Sequence, residues 1–172
     1  MGASKVSKKN IKRPRTARLT GYSFTHELLA SPVQPMPEET QRHYFMVLCQ
    51  ALAEMDDCLS VKGWNALSEM VNLVQTLVMQ GTCRDDDGLV LDAIHALTRA
   101  GSEHLTGQPV RLAVAEKECV RAIAADFMEI AQVIPHRQMV QCHRATQDRI
   151  NAHRSNKANE PTGAAGPNAL TA

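Results

Sequence analysis

The chain has 172 residues, 44% of them hydrophobic and 22% charged, with a net charge of +1. That length allows one compact domain with a real core and excludes collagen-like and wholly disordered classes. No apolar run approaches the ~18 residues of a membrane span, and the basic N-terminus lacks the apolar stretch of a secretory signal, so a cytoplasmic protein is expected.

The near-neutral total conceals three unlike regions. Residues 1–20 contain Lys5, Lys8, Lys9, Lys12, Arg13, Arg15 and Arg18 and no acid, a charge of +7. Residues 21–135 hold 7 basic and 16 acidic side chains, or −9, and residues 136–172 hold 5 basic and 2 acidic, or +3. Like charges with few large apolar side chains cannot offset the entropy of ordering, which predicts a disordered basic arm over residues 1–20. The Asn-, Ala-, Gly- and Pro-rich residues 155–172 read as a second disordered tail, leaving a single folded domain over residues 21–154.

Within that domain the apolar residues recur at helical spacing. Pro32, Pro35 and Pro37 make an extended lead-in. A first helix begins near Pro37, with Glu38 and Glu39 at the positive end of its dipole and Phe45, Leu48, Leu52, Met55 and Leu59 as its stripe. Ser60 is placed to cap a second helix carrying Trp64, Leu67, Val71, Val74 and Val78, widened by Met70 and Leu77 and stopped by Gly81. So short a joint implies an antiparallel hairpin. A third helix starts around Asp85–Asp87 and buries Leu89 or Leu91, Ile94 and Leu97 before Gly101; a polar connection over residues 102–108 and a short extended piece over residues 109–112 follow. A fourth helix carries Val120, Ile123, Phe127, Ile130 and Ile134 and is interrupted by Pro135. A fifth, over residues 136–154, has the thinner stripe Met139, Cys142, Thr146 and Ile150. The fold class is therefore all-α: an antiparallel bundle of four main helices and a weaker C-terminal one.

The basic arm is the strongest functional signal. Seven cations on a flexible segment can track phosphates and release counterions, which gives salt-sensitive affinity for DNA or RNA without sequence preference. No aromatic interleaves them, so base stacking is not suggested. The fifth helix adds Arg137 and Arg144 on one face, with Arg149 and Arg154 on its flanks, and its first turn offers N–H groups to a phosphate.

The other candidate chemistry is weaker than its structural alternative. His136, Cys142 and His143 point in different directions on a helix and make a poor tetrahedral site; His143 reads as a boundary residue. Asp85–Asp87 lack calcium-loop spacing and read as helix capping. Asp56 and Asp57 near a helix end have no account beyond exposure. Five scattered cysteines with no C-x-x-C pair predict reduced thiols, and Cys49 and Cys142, on or beside apolar stripes, read as inert. Neither a nucleophile elbow nor a phosphate-binding glycine motif is present, so no enzyme, cofactor or metal is expected. The methionines, Met46, Met55, Met70, Met79, Met128 and Met139 among them, are expected mainly to fill the core.

Taken together, the basic arm, the proline lead-in, the Trp-starting helix GWNALSEMVNLVQTLV and the terminal VQCHRATQDRI resemble uncharacterised small all-helical proteins carried on bacterial phages or mobile elements. That resemblance implies a bacterial cytoplasmic setting and carries over no functional residue. The expected function is a non-enzymatic accessory protein binding nucleic acid or another polyanion through Lys5–Arg18, aided by Arg137 and Arg144. The alternative is a protein-protein adaptor or self-associating scaffold that works through an apolar helix face, with a protein partner or a homo-oligomer.

Overall fold

The computed structural model describes residues 29–159. The basic arm over residues 1–20, the first eight residues of the expected domain (21–28) and residues 160–172 of the tail lie outside them, whereas residues 155–159, expected to be disordered tail, are helical. The described residues form five helices: α1 Glu38–Glu54, α2 Val61–Met79, α3 Leu89–Leu105, α4 Val114–Val133 and α5 His136–Asn159. Extended pairing among them is limited to two isolated bridges, Pro35 with Pro135 and Leu59 with Val110. The last helix runs past Arg154, its expected end. Among the described residues no helix is long and apolar enough to cross a membrane.

Helix α2 is the hub and packs against each of the other four. Its start is built from residues the sequence supplies locally. Ser60 Oγ accepts from Gly63 N at 3.0 Å and itself donates to Glu54 Oε2, on the last residue of α1, at 2.5 Å. That bond holds the Glu54 carboxyl below its ordinary range. A Cβ on Gly63 would sit 2.5 Å from the same Glu54 oxygen, so the glycine is what lets the carboxylate close over the cap. Bridges at the two loop pairs then fix the ends. Leu59 N donates to Val110 O at 3.1 Å, tying the α1–α2 loop to the extended piece before α4, while Lys117 Nζ and Arg121 reach Asp56. Asp56 is thereby given a role that its sequence position does not suggest.

The core consists of Leu48, Leu67, Met70, Leu73, Leu77, Val120, Phe127 and Met139 with smaller side chains between them. Several faces differ from the expected stripes. In α1 the buried residues are Tyr44, Leu48 and Ala51, with Phe45 and Leu52 at the margin, and Leu59, expected on this stripe, lies beyond the helix end at Glu54 and pairs with Val110 instead. In α2 Ala66, Leu73 and Thr76 are buried as well, because a central helix is covered on more than one side. In α3 the core face is Val90, Ala93, Ala96, Leu97 and Ala100, whereas Leu91 is exposed.

Gly101 does not stop α3; it lies inside the helix. A Cβ there would fall 2.5 Å from Trp64 Cζ2, and the Trp64 indole donates to Leu97 O, one turn earlier, at 2.8 Å. The glycine is a seat for the indole, and the helix ends only before Gly107, whose φ of 89° needs no Cβ. At the other end of α3 the expectation for Asp85 holds: its carboxylate accepts from Val90 N at 3.2 Å. Met36, Met55, Met70 and Met139 are buried, but Met46 and Met79 are exposed.

Candidate functional site

The seven arm cations, Lys5, Lys8, Lys9, Lys12, Arg13, Arg15 and Arg18, fall outside the described residues. What the structure does place is α5, and it alters the reading of that helix. Its first turn is not open to a phosphate: His136 N donates to Gln34 O at 2.8 Å and Arg137 N to Ser31 O at 2.9 Å. The proline lead-in thus supplies the carbonyls that a helix start requires. Arg137 is half-buried, and its Nε donates to Ala30 O at 3.2 Å, which clips the entering chain to α5. Arg144 is half-buried and engaged.

Arg149 turns inward rather than lying on a solvent flank. Its guanidinium donates to Gln75 Oε1 and, at 3.0 Å, to Asn72 O on α2, while its Nε has no partner. Burial lowers its affinity for its proton. Arg154 remains exposed. The four arginines therefore do not form one cationic surface.

The rest of the α2–α5 contact is a polar seam that periodicity does not show. Thr76 and Thr146 hydroxyls meet at 2.7 Å, and Cys142 Sγ lies 3.5 Å from Leu73 O. His143 is buried, not a boundary residue. Its Nε2 lies 3.0 Å from the Tyr44 hydroxyl and its Nδ1 3.7 Å from Glu69 Oε1. Burial drives both members toward their neutral forms, lowering His143 to about 4 and raising Glu69 to about 7. The 3.7 Å approach is accordingly a neutral contact near pH 6, because desolvation outweighs the attraction of a separated pair. Thr76, Glu69 and His143 are visible in the sequence only as polar residues beside a stripe; no local signal pairs them across some seventy positions of chain.

Two clefts open on the surface. One, of about 220 Å³, has an apolar floor of Leu89, Val90, Ile123 and Ile130 and a rim carrying Asp85, Asp126 and Glu129 beside Arg84. Cys83 lies within it, and burial, followed by the nearby Asp126 and Asp85 charges, pushes its thiol up. The other, of about 300 Å³, is polar and lined by Pro32, Thr82, Pro135 and Arg137 among others. The Tyr44–His143–Glu69 cluster lines neither. Among the described residues no group of three His, Cys, Asp or Glu side chains can hold a metal. All five cysteines are free; Cys142 is buried, but Cys49 is exposed, contrary to its expected place beside the stripe.

The fold and these sites define an all-helical protein built on a central helix. It matches no protein-family model, no curated protein and no solved structure.

Proposed function

We propose that this chain is a non-enzymatic accessory protein that binds DNA, RNA or another polyanion through Lys5–Arg18, in a cytoplasmic setting. The observation that carries the reading is the partition of charge: +7 without an acid in residues 1–20 against −9 in residues 21–135. Arg137 and Arg149 bond to their own chain, so the arm is where basic charge concentrates. In this reading the arm acts without help from Arg137, which Ala30 O holds, and Arg144 is half-buried. Packing of α1 on α2, α2 on α3 and α3 on α4 supports an antiparallel bundle as the platform behind the arm.

The test is a gel-shift or anisotropy series across salt with arbitrary duplex DNA, using the full chain and a variant lacking residues 1–20. If all seven cations met phosphates, the logarithmic salt slope would approach about −6. Removal of the arm is expected to abolish binding. Undiminished affinity without the arm overturns the proposal.

The adaptor reading draws little from the fold. The exposed large apolar residues are spread over the lead-in (Leu29, Val33) and four helices: Met46 on α1, Val61 and Met79 on α2, Leu91 and Leu105 on α3, and Val114 and Val133 on α4. Exposure of that scattered kind is ordinary for a folded surface.

A further inference from the structure

The acid-rimmed cleft between the α2–α3 loop and α4 has three features in combination. Its floor is apolar: Leu89, Val90, Ile123 and Ile130. Its rim carries three carboxylates, Asp85, Asp126 and Glu129, against one guanidinium, Arg84. Asp126 and Glu129 project exposed from α4, one turn apart, and neither is engaged in an ion pair among the described residues. A floor that accepts methylenes beneath a rim that accepts positive charge suits lysine and arginine side chains, which have an apolar stem and a charged tip.

The same chain carries such side chains, and its connectivity brings them near. Pro32 and Thr82 line one cleft, and the three residues after Thr82, namely Cys83, Arg84 and Asp85, line the acid-rimmed one. The chain thus enters the body beside the loop that forms one wall of the acidic cleft. From Arg18 to Leu29 there are eleven residue steps, which extend to at most about 40 Å. A domain of this size has a radius of gyration of only about 14 Å, so the arm reaches the cleft without strain.

We infer that the basic arm, residues 5–18, docks in the cleft rimmed by Asp85, Asp126 and Glu129 of its own chain, and that a polyanion must displace it. The cleft is then an internal competitor for the arm. This rests on the reading of the arm as the polyanion-binding segment, but docking itself is measurable with no polyanion present. Carboxylates imitate phosphates toward the arm, so occupation of the cleft sharpens selectivity: a strong polyanion wins and a weak one does not.

The experiment uses the full chain and the double variant Asp126→Asn/Glu129→Gln, whose positions are exposed and outside the core. Brief trypsin digestion at low salt, read by mass spectrometry of the N-terminal peptides, reports access to the arm. Each exposed ion pair shifts an equilibrium by up to about fivefold, so the arm of the double variant is expected to be cut roughly threefold faster or more. Adding 0.5 M salt should abolish the difference between the two proteins. Circular dichroism confirms that both are folded. In a parallel DNA titration at low salt the double variant should bind roughly threefold tighter or more. Equal arm cleavage in the two proteins overturns the docking inference whatever the DNA result. Protection that rises with protein concentration also overturns it, in favour of exchange between two copies. Slower cleavage of the wild-type arm with no DNA binding by either protein retains the docking and defeats the proposed function instead.

Discussion

Gly101→Ala is expected to destabilise this protein although alanine is the better helix former. In a helix interior the exchange alone would gain about 0.5–1 kcal/mol. Here the new Cβ lands 2.5, 2.9 and 3.3 Å from Cζ2, Cε2 and Cη2 of Trp64. Overpacking of that kind costs about 1–3 kcal/mol. The indole cannot retreat freely, because doing so stretches its 2.8 Å bond to Leu97 O, worth a further ~1 kcal/mol. The net expectation is a loss of about 1–2 kcal/mol. In a Trp64→Leu background the obstruction is gone, and the same Gly101→Ala change should stabilise by up to ~1 kcal/mol. The four proteins form a double-mutant cycle with a coupling of about 2 kcal/mol. Urea denaturation followed by far-ultraviolet circular dichroism measures all four, and fluorescence of Trp64, the sole tryptophan, reports the seat directly where it is present. A stabilising Gly101→Ala with Trp64 in place would refute the argument.

Other substitutions test the remaining contacts. Ser60→Ala removes the α2 cap and the partner of Glu54, and should lower stability by about 1–2 kcal/mol in the same denaturation assay; a change under ~0.3 kcal/mol would contradict the capping geometry. Thr146→Val should cost about 1 kcal/mol, and adding Thr76→Val should cost less than the sum of the single changes, since the two hydroxyls serve each other at 2.7 Å; strict additivity would show them to be independent. The Glu69–His143 pair sets opposing pH slopes. Glu69, raised to about 7, gives stability that is present below its unfolded value near 4.5 and is lost as pH rises through 7. His143, lowered to about 4, gives stability that is present above 6.5 and is lost as pH falls toward 4. Between pH 4.5 and 6.5 the two largely cancel, so Glu69→Gln should expose a steeper fall in thermal midpoint toward acid than wild type shows. Equal slopes in the two proteins would mean that the pair is not buried as described. Finally, a maleimide should label exposed Cys49 and Cys58 in the native protein and reach Cys142, whose thiol burial pushes up to about 12, only on unfolding; early labelling of Cys142 would contradict its burial.

Several boundaries that depend on a residue's own backbone chemistry are legible in the amino-acid sequence. Pro37 precedes α1, Ser60 caps α2, Gly81 follows it with φ of 71°, and Pro135 separates α4 from α5. Local pattern misleads where a neighbour decides. Gly101 has the local signature of a helix stop, yet an indole thirty-seven positions earlier needs its missing Cβ. Leu91 has the hydrophobicity of a core residue, yet the face of α3 that is buried carries Ala93, Ala96 and Ala100 instead.

The candidate site divides along the same line. The charge partition that supports polyanion binding is a property of composition, because counting side chains requires no fold. Which cations remain available does require one: Arg137 and Arg149 look solvated on a helical wheel, but the lead-in and α2 present carbonyls that claim them. The sequence by itself determined where α1, α2 and α5 begin and where α2 and α4 end, since caps, prolines and glycines act within a turn or two of their position. Only the tertiary structure decided which faces meet, which polar groups are drawn inside and which carboxylates converge on one cleft, because those depend on distances between residues that the chain does not place side by side.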